Sequence, residues 1–262
     1  MTGLACPTAY LLHGMKRSGN HALVCWLLPQ VDAVFVNNAI PVGPILRSVA
    51  VMPDPVPFEA WCTGNVGLKR SDGRNLVVGL EDHELPVTPF LEDGVHLRRL
   101  LILRRAEQMF SSRLRHAAHV DMRAFPRGND HVMQRVVSVW KQHARCFLGM
   151  ENIYPDRIAI SFEAWVTDRV YRGALCDAME VEFDDRAFGK VGRQGGGSSF
   201  DGMAFDGSGH RMNVLDRVSQ LAPGERAVLD EIFSDPELQH LSRLVREADP
   251  CRQLQMASCE HG

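Results

Sequence analysis

A stretch near the start of the chain, His13-Gly14-Met15-Lys16-Arg17-Ser18-Gly19-Asn20-His21, has the residue types and spacing of an anion-binding turn. It follows the apolar run Ala9–His13 and opens a helical pattern, so strand, turn and helix meet there. Such a turn aims backbone N–H groups and the positive helix end at one place, which suits a phosphate. Gly14 and Gly19 keep the spacing of a Walker loop, GxxxxGK[ST]. However, Asn20 stands where the lysine belongs, and His21 where the magnesium-holding Ser or Thr belongs. Those two groups neutralise a triphosphate and hold Mg²⁺, so their loss argues against Mg-ATP chemistry. The positive charge sits inside the turn instead, on Lys16 and Arg17. A smaller anion bound without metal fits better. A tight connection with no ligand is the plainer reading, and two adjacent cations in a short buried turn weigh against it.

Two further groups follow apolar runs. Glu81-Asp82-His83 comes after Leu76–Leu80, and Arg104 closes Leu100–Leu103 ahead of Ser111-Ser112-Arg113. In open α/β sheets the carboxyl ends of strands line the ligand crevice. Glu81 continues directly from its strand and is the first candidate for a general base. His83 is the second, because an imidazole titrates nearer neutrality. Asp82 points to the face opposite Glu81 if the strand continues. A solvated turn before Leu85-Pro86 is the plainer alternative. Arg104 leaving the sheet and Ser112 two turns into the next helix can converge on one phosphate. His116 and His119 share a helix face but lack a third ligand nearby, so no metal site is expected.

These groups need a scaffold. The runs Ala9–His13, Ala33–Val36, Leu76–Leu80, Leu100–Leu103 and Ile158–Ser161 are short and nearly continuous, as strands buried on both faces should be. Helical patterns lie between them: Gly19–Leu28 closed by Pro29, Glu107–Ala118, and Asp130–Met150 with Asn129 as N-cap. Helical patterns resume at Arg211, and Asp235-Pro236 starts a late helix. Strands alternating with helices predict a single α/β domain over 1–262, a central parallel sheet flanked by helices. Residues 37–75 form a proline-rich excursion that either covers an active site or is an irregular surface loop. Residues 189–210 form a glycine-rich loop.

Composition narrows the classes. Of 262 residues 45% are hydrophobic and 23% charged, enough for a proper core. Lys and Arg total 29 against 32 acids, a net charge of −3, which excludes a broadly basic nucleic-acid binder. No apolar run approaches the roughly 18 residues of a membrane span, so no stable membrane insertion is expected. Seven cysteines without CxxC spacing, and no basic leader before the first apolar run, predict reduced thiols in a cytoplasmic protein.

At Lys16-Arg17-Ser18-Gly19-Asn20-His21 the chain resembles sulfotransferases that use 3′-phosphoadenosine 5′-phosphosulfate (PAPS). Their 5′-phosphosulfate loop reads PKSGTT or RSGTT, and this one is a bacterial-type RSGNH variant. The resemblance implies a P-loop NTPase-like sulfotransferase fold. It gives Arg17 the place of the lysine that touches the bridging oxygen and the leaving phosphate. Ser18 and Gly19 match directly, while Asn20 and His21 replace the two threonines. The cytosolic branch then has a tryptophan near adenine, and here that position is Ala22.

The family's 3′-phosphate signature, an arginine at a strand end and a serine two turns on, is matched by Arg104 and Ser112. Arg105 departs from its usual Asp or Asn. The family's late loop over the 3′-phosphate is similar to the run containing Arg193, Gly196, Gly197 and Ser198. Ile160–Trp165 resembles the strand end before the family's last helices, with Glu163 structural. In related sulfotransferases the base is a histidine or a glutamate near the end of this strand, as Glu81 and His83 are. The implied reaction moves a sulfuryl group from PAPS to a hydroxyl or amine of a small-molecule, glycan or lipid acceptor, leaving PAP and using no metal. Two rivals stand beside it: a P-loop kinase or nucleotide phosphotransferase, and a non-catalytic nucleotide-binding adaptor.

Overall fold

The apolar runs become strands because both of their faces are covered. The structure, a computed structural model, describes residues 6–36, 74–87, 94–119, 130–190 and 212–255, with residues 91, 200 and 209. The strands are β1 (Thr8–Gly14), β2 (Ala33–Val36), β3 (Asn75–Glu81), β4 (His96–Leu103) and β5 (Ile158–Ser161). They form a five-stranded sheet in the order β2-β3-β1-β4-β5. Every pairing is parallel. β1 lies at the centre, so the loop that leaves it sits in the middle of the sheet's carboxyl edge.

Strand alternation sorts the core onto two faces. Leu100 and Ile102 join Tyr10, Leu12 and Val77 on one face, under α1 (Asn20–Val31), α4 (Phe162–Thr167) and α5 (Arg169–Met179). Leu101 and Leu103 join the other face, under α2 (Ala106–His119), α3 (Asp130–Phe147), α6 (Pro223–Ile232) and α7 (Pro236–Glu247). A last helix, α8 (Pro250–Gln255), returns Leu254 to the first face. The layers are therefore helix, parallel sheet, helix, as expected from the alternating pattern.

Some boundaries differ from the sequence reading. Pro29 does not close α1, which runs on to Val31 and ends at Asp32 in a left-handed turn. So near the helix end the missing proline N–H costs only one bond. The Gln30 side chain donates to the Trp26 carbonyl at 2.9 Å in the same last turn. Where helical pattern resumes after Arg211, the described residues form a short 3₁₀ turn (Val218–Gln220) before α6. Asp235 caps α7 as expected, accepting from the Leu238 amide at 3.0 Å. Asn129, nearly all of the 37–75 excursion, and Arg193, Gly196, Gly197 and Ser198 lie outside the described residues. Among the described residues no helix is long and apolar enough to cross a membrane.

Candidate functional site

The ends of β1 and β3 finish side by side. Gly14 pairs with Glu81 in the sheet register, and the Asp82 amide donates to the Gly14 carbonyl at 3.0 Å. The loop then turns at Met15, whose carbonyl accepts from the Ser18 amide at 3.1 Å. Arg17 and Gly19 both take left-handed backbone, with φ of 72° and 89°. Gly19 has no substitute, since a Cβ there would lie 2.2 Å from the Phe162 ring. Arg17 carries its Cβ into the strained region, and two contacts hold it there. Arg104 Nη1 donates to the Arg17 carbonyl at 2.8 Å, and Arg17 Nε donates to Ser112 Oγ at 3.1 Å. Arg104 and Ser112 are thus brought together around Arg17, one on its backbone and one on its side chain.

Asn20, the first residue of α1, turns its Nδ2 onto the Met15 carbonyl at 2.9 Å and onto Glu81 Oε1 at 2.6 Å. The neighbouring His21 meets the Phe35 ring edge-on, 5.9 Å between centroids. Lys16 is exposed, and its amide donates to Asp82 Oδ1 at 2.9 Å. β3 does not continue past Glu81, so the alternation that would set Asp82 opposite Glu81 does not apply. The chain turns instead at Asp82, with φ of 60°. Arg113 grips its carboxylate with both Nη atoms, at 2.8 and 2.9 Å. Burial pushes the Asp82 carboxyl up, but Arg113 outweighs it and holds it below the usual range. His83 follows half-buried, its carbonyl bonded by His143 Nε2 at 2.8 Å. Burial lowers the His83 pKa against the opposing charge of Asp82, so its neutral, proton-accepting form is favoured.

Positive charge is concentrated where the loop and β4 meet. Burial lowers the pKa of Arg17, Arg217 lowers it further, and Glu81 opposes. Burial lowers that of Arg104 too; Glu163 opposes, while Arg217 and Arg17 add to the fall. Arginine keeps its proton in proteins, so this crowding is a cost that a bound anion would remove. Arg104 also donates from Nη2 to the Val214 carbonyl, and its guanidinium lies over the Phe162 ring at 4.7 Å. Glu163 accepts from the Arg105 amide at 3.1 Å, the structural role expected of it. At the far end of the glycine-rich run, Phe200 is flanked by the guanidiniums of Arg115 and Arg217, at 4.8 and 4.6 Å. The Gly209 amide meets the Gly189 carbonyl at 2.9 Å.

No protein-family model matches the chain, and no curated protein matches it either. Among solved structures it is similar to mouse sulfotransferase SULT7A1 complexed with PAP. The two share 15% identity at a TM-score of 0.52, over 94% of this chain and 90% of that one. The fold is the sulfotransferase fold.

The loop residues present suit a phosphate or sulfate group. Ser18 is fully buried, and its Oγ has no hydrogen-bond partner among the described residues. Leaving a buried hydroxyl unmet costs ~1–3 kcal/mol. An anionic oxygen held by the loop supplies the missing acceptor. Among the described residues no three His, Cys, Asp or Glu side chains gather to hold a metal ion. Sequence reasoning named Arg113 without giving it a role and overlooked Arg217, because neither belongs to a spacing motif. Their roles arise only when α2 and the segment before α6 fold back over the sheet edge.

Proposed function

We propose that this chain is a cytoplasmic sulfotransferase, moving a sulfuryl group from PAPS to a hydroxyl or amine of a small-molecule, glycan or lipid acceptor. The observation that carries this reading is the buried Ser18 hydroxyl beside Arg17, without a hydrogen-bond partner among the described residues, in a glycine loop that has no lysine at the Walker position, on a sulfotransferase fold. The PAP bound to the structural neighbour supports the choice of donor. Bound in the loop, PAPS would supply the sulfuryl group and a leaving 5′-phosphate.

The chain's own residues do the rest. Gly14 and Gly19 let the backbone approach, and the amides at the start of α1, near Asn20 and His21, face the 5′-phosphosulfate with Ser18. Arg17 neutralises the charge that grows on the leaving phosphate, with Lys16 beside it. Arg104 and Ser112 take the 3′-phosphate, and Arg193, Gly196, Gly197 and Ser198 close over it. Glu81, or His83 in its place, removes the proton from the acceptor oxygen or nitrogen as that atom bonds to sulfur.

Calorimetry with PAP, AMP and Mg-ATP, with and without EDTA, tests the reading. PAP is expected to bind most tightly and to need no divalent ion. A strict Mg²⁺ requirement with Mg-ATP preferred would replace it with a phosphotransferase. Tight PAP binding that is unchanged when Glu81 and His83 are both removed, with no sulfuryl transfer from PAPS, would favour the adaptor.

A further inference from the structure

We infer that Asn20 is a positioning residue that holds the Glu81 carboxylate, and that this is why an amide replaces the lysine of a Walker loop. What Glu81 does there rests on the sulfotransferase reading above. The contact itself rests on geometry. Asn20 Nδ2 has two hydrogens, and they go to the Met15 carbonyl and to Glu81 Oε1. Both partners are acceptors, so the amide cannot be reversed, and its plane is fixed from two sides. Asn20 is itself 5% exposed, which keeps water from competing for either bond.

Gly14 belongs to the same arrangement. A Cβ on Gly14 would lie 2.3 Å from Asn20 Oδ1. The Asn20 side chain therefore fits beside the end of β1 only because Gly14 has none. The register then sets Glu81 opposite Gly14, within reach of the amide. Three residues from β1, α1 and β3 interlock at the sheet's carboxyl edge.

The chemistry explains the exchange. A lysine at position 20 would bring an ammonium against Glu81, and an adjacent opposite charge makes a carboxylate a weaker proton acceptor. An amide donates one hydrogen bond and carries no charge. It orients the carboxylate without setting a further charge against it. Asn20 touches no reacting atom in this scheme; it acts through Glu81.

Two measurements test this. The first uses ligand-free protein and thermal unfolding. Asn20→Asp puts two carboxylates together and should lower Tm by about 2–4 °C. Adding Glu81→Gln swaps donor and acceptor across the same contact and should recover part of that loss. A double variant no more stable than Asn20→Asp would overturn the inference.

The second is turnover. Asn20→Ala should lower kcat about ten- to a hundred-fold, the worth of one bond to a charged group, while PAP affinity stays within about twofold. In a Glu81→Gln background the same change should cost nothing further. Equal losses in both backgrounds would also overturn it. If the wild-type chain binds no PAP, the proposed function fails, and the ligand-free swap still decides whether Asn20 holds Glu81.

Discussion

Arg17 keeps a left-handed backbone that arginine rarely takes, which costs ~1–3 kcal/mol and is sustained by Arg104 on its carbonyl and Ser112 on its Nε. Holding a guanidinium in place before any ligand arrives suits a group meant for charge that appears in the transition state. Arg17→Ala should therefore lower kcat by about 10²–10³, with a smaller loss in PAPS affinity. Arg17→Lys should recover only part, because an ammonium keeps the charge but cannot reproduce the Nε bond to Ser112. Equal losses in kcat and affinity would make Arg17 a ground-state anchor. Arg104 needs a different comparison, since it also holds the loop. Arg104→Ala should weaken PAP about ten- to a hundred-fold more than it weakens adenosine 5′-phosphosulfate, which has no 3′-phosphate. Ser112→Ala should shift the ratio of the two dissociation constants the same way, by less. A ratio unchanged by Arg104→Ala would leave that arginine as a brace for the loop alone.

At the scale of elements, the loop depends on how closely α4 approaches α1. Gly19→Ala meets the Phe162 ring and must also keep a φ of 89°. The left-handed conformation alone costs about 1–2 kcal/mol, and the overlap adds to it. We expect a lower denaturation midpoint and PAP binding weakened at least tenfold by calorimetry. A Gly19→Ala chain that binds PAP like the wild type would mean that the loop can be rebuilt without this turn. Strands buried on both faces are legible as apolar runs, which is why β2 and β5 fall where the sequence places them. The first half of β4 is not. Its Arg98 and Arg99 interrupt the run, and their partners, Glu180 and Asp156, lie far along the chain. The same holds at the site. Gly14, Arg17, Ser18 and Gly19 share a local spacing and can be read directly. The Asn20–Glu81 bond and the Arg113 grip on Asp82 join residues far apart in sequence, and only the sheet register brings them together.

Across the whole molecule, the acid limit of stability should be set by histidines that fold in neutral form. His13, in the middle of the sheet, is 1% exposed, and neither ring nitrogen has a hydrogen-bond partner among the described residues. Burial lowers its pKa to about 3, and that of His143 to about 4. Free imidazole titrates near ~6.5. Between these values the unfolded chain binds more protons than the folded one, so stability is full above pH ~6.5 and falls as pH drops toward 4 and then 3. Each such group contributes a slope of up to about 1.4 kcal/mol per pH unit inside its window. His83, also lowered, adds to the trend, while Glu163, raised by burial, opposes it. The lowered carboxyls of Asp82, Asp185 and Asp235 act in the same direction as the histidines, but only as pH nears their unfolded value of ~3.9. The interval from pH 6.5 to 5 therefore belongs mainly to the imidazoles. His143→Gln removes one of them and can keep a donor to the His83 carbonyl. Urea unfolding at several pH values across that interval should show a shallower loss of stability in His143→Gln than in the wild type. Equal slopes would show that His143 takes up no proton on unfolding there, and the acid limit would then lie with other groups.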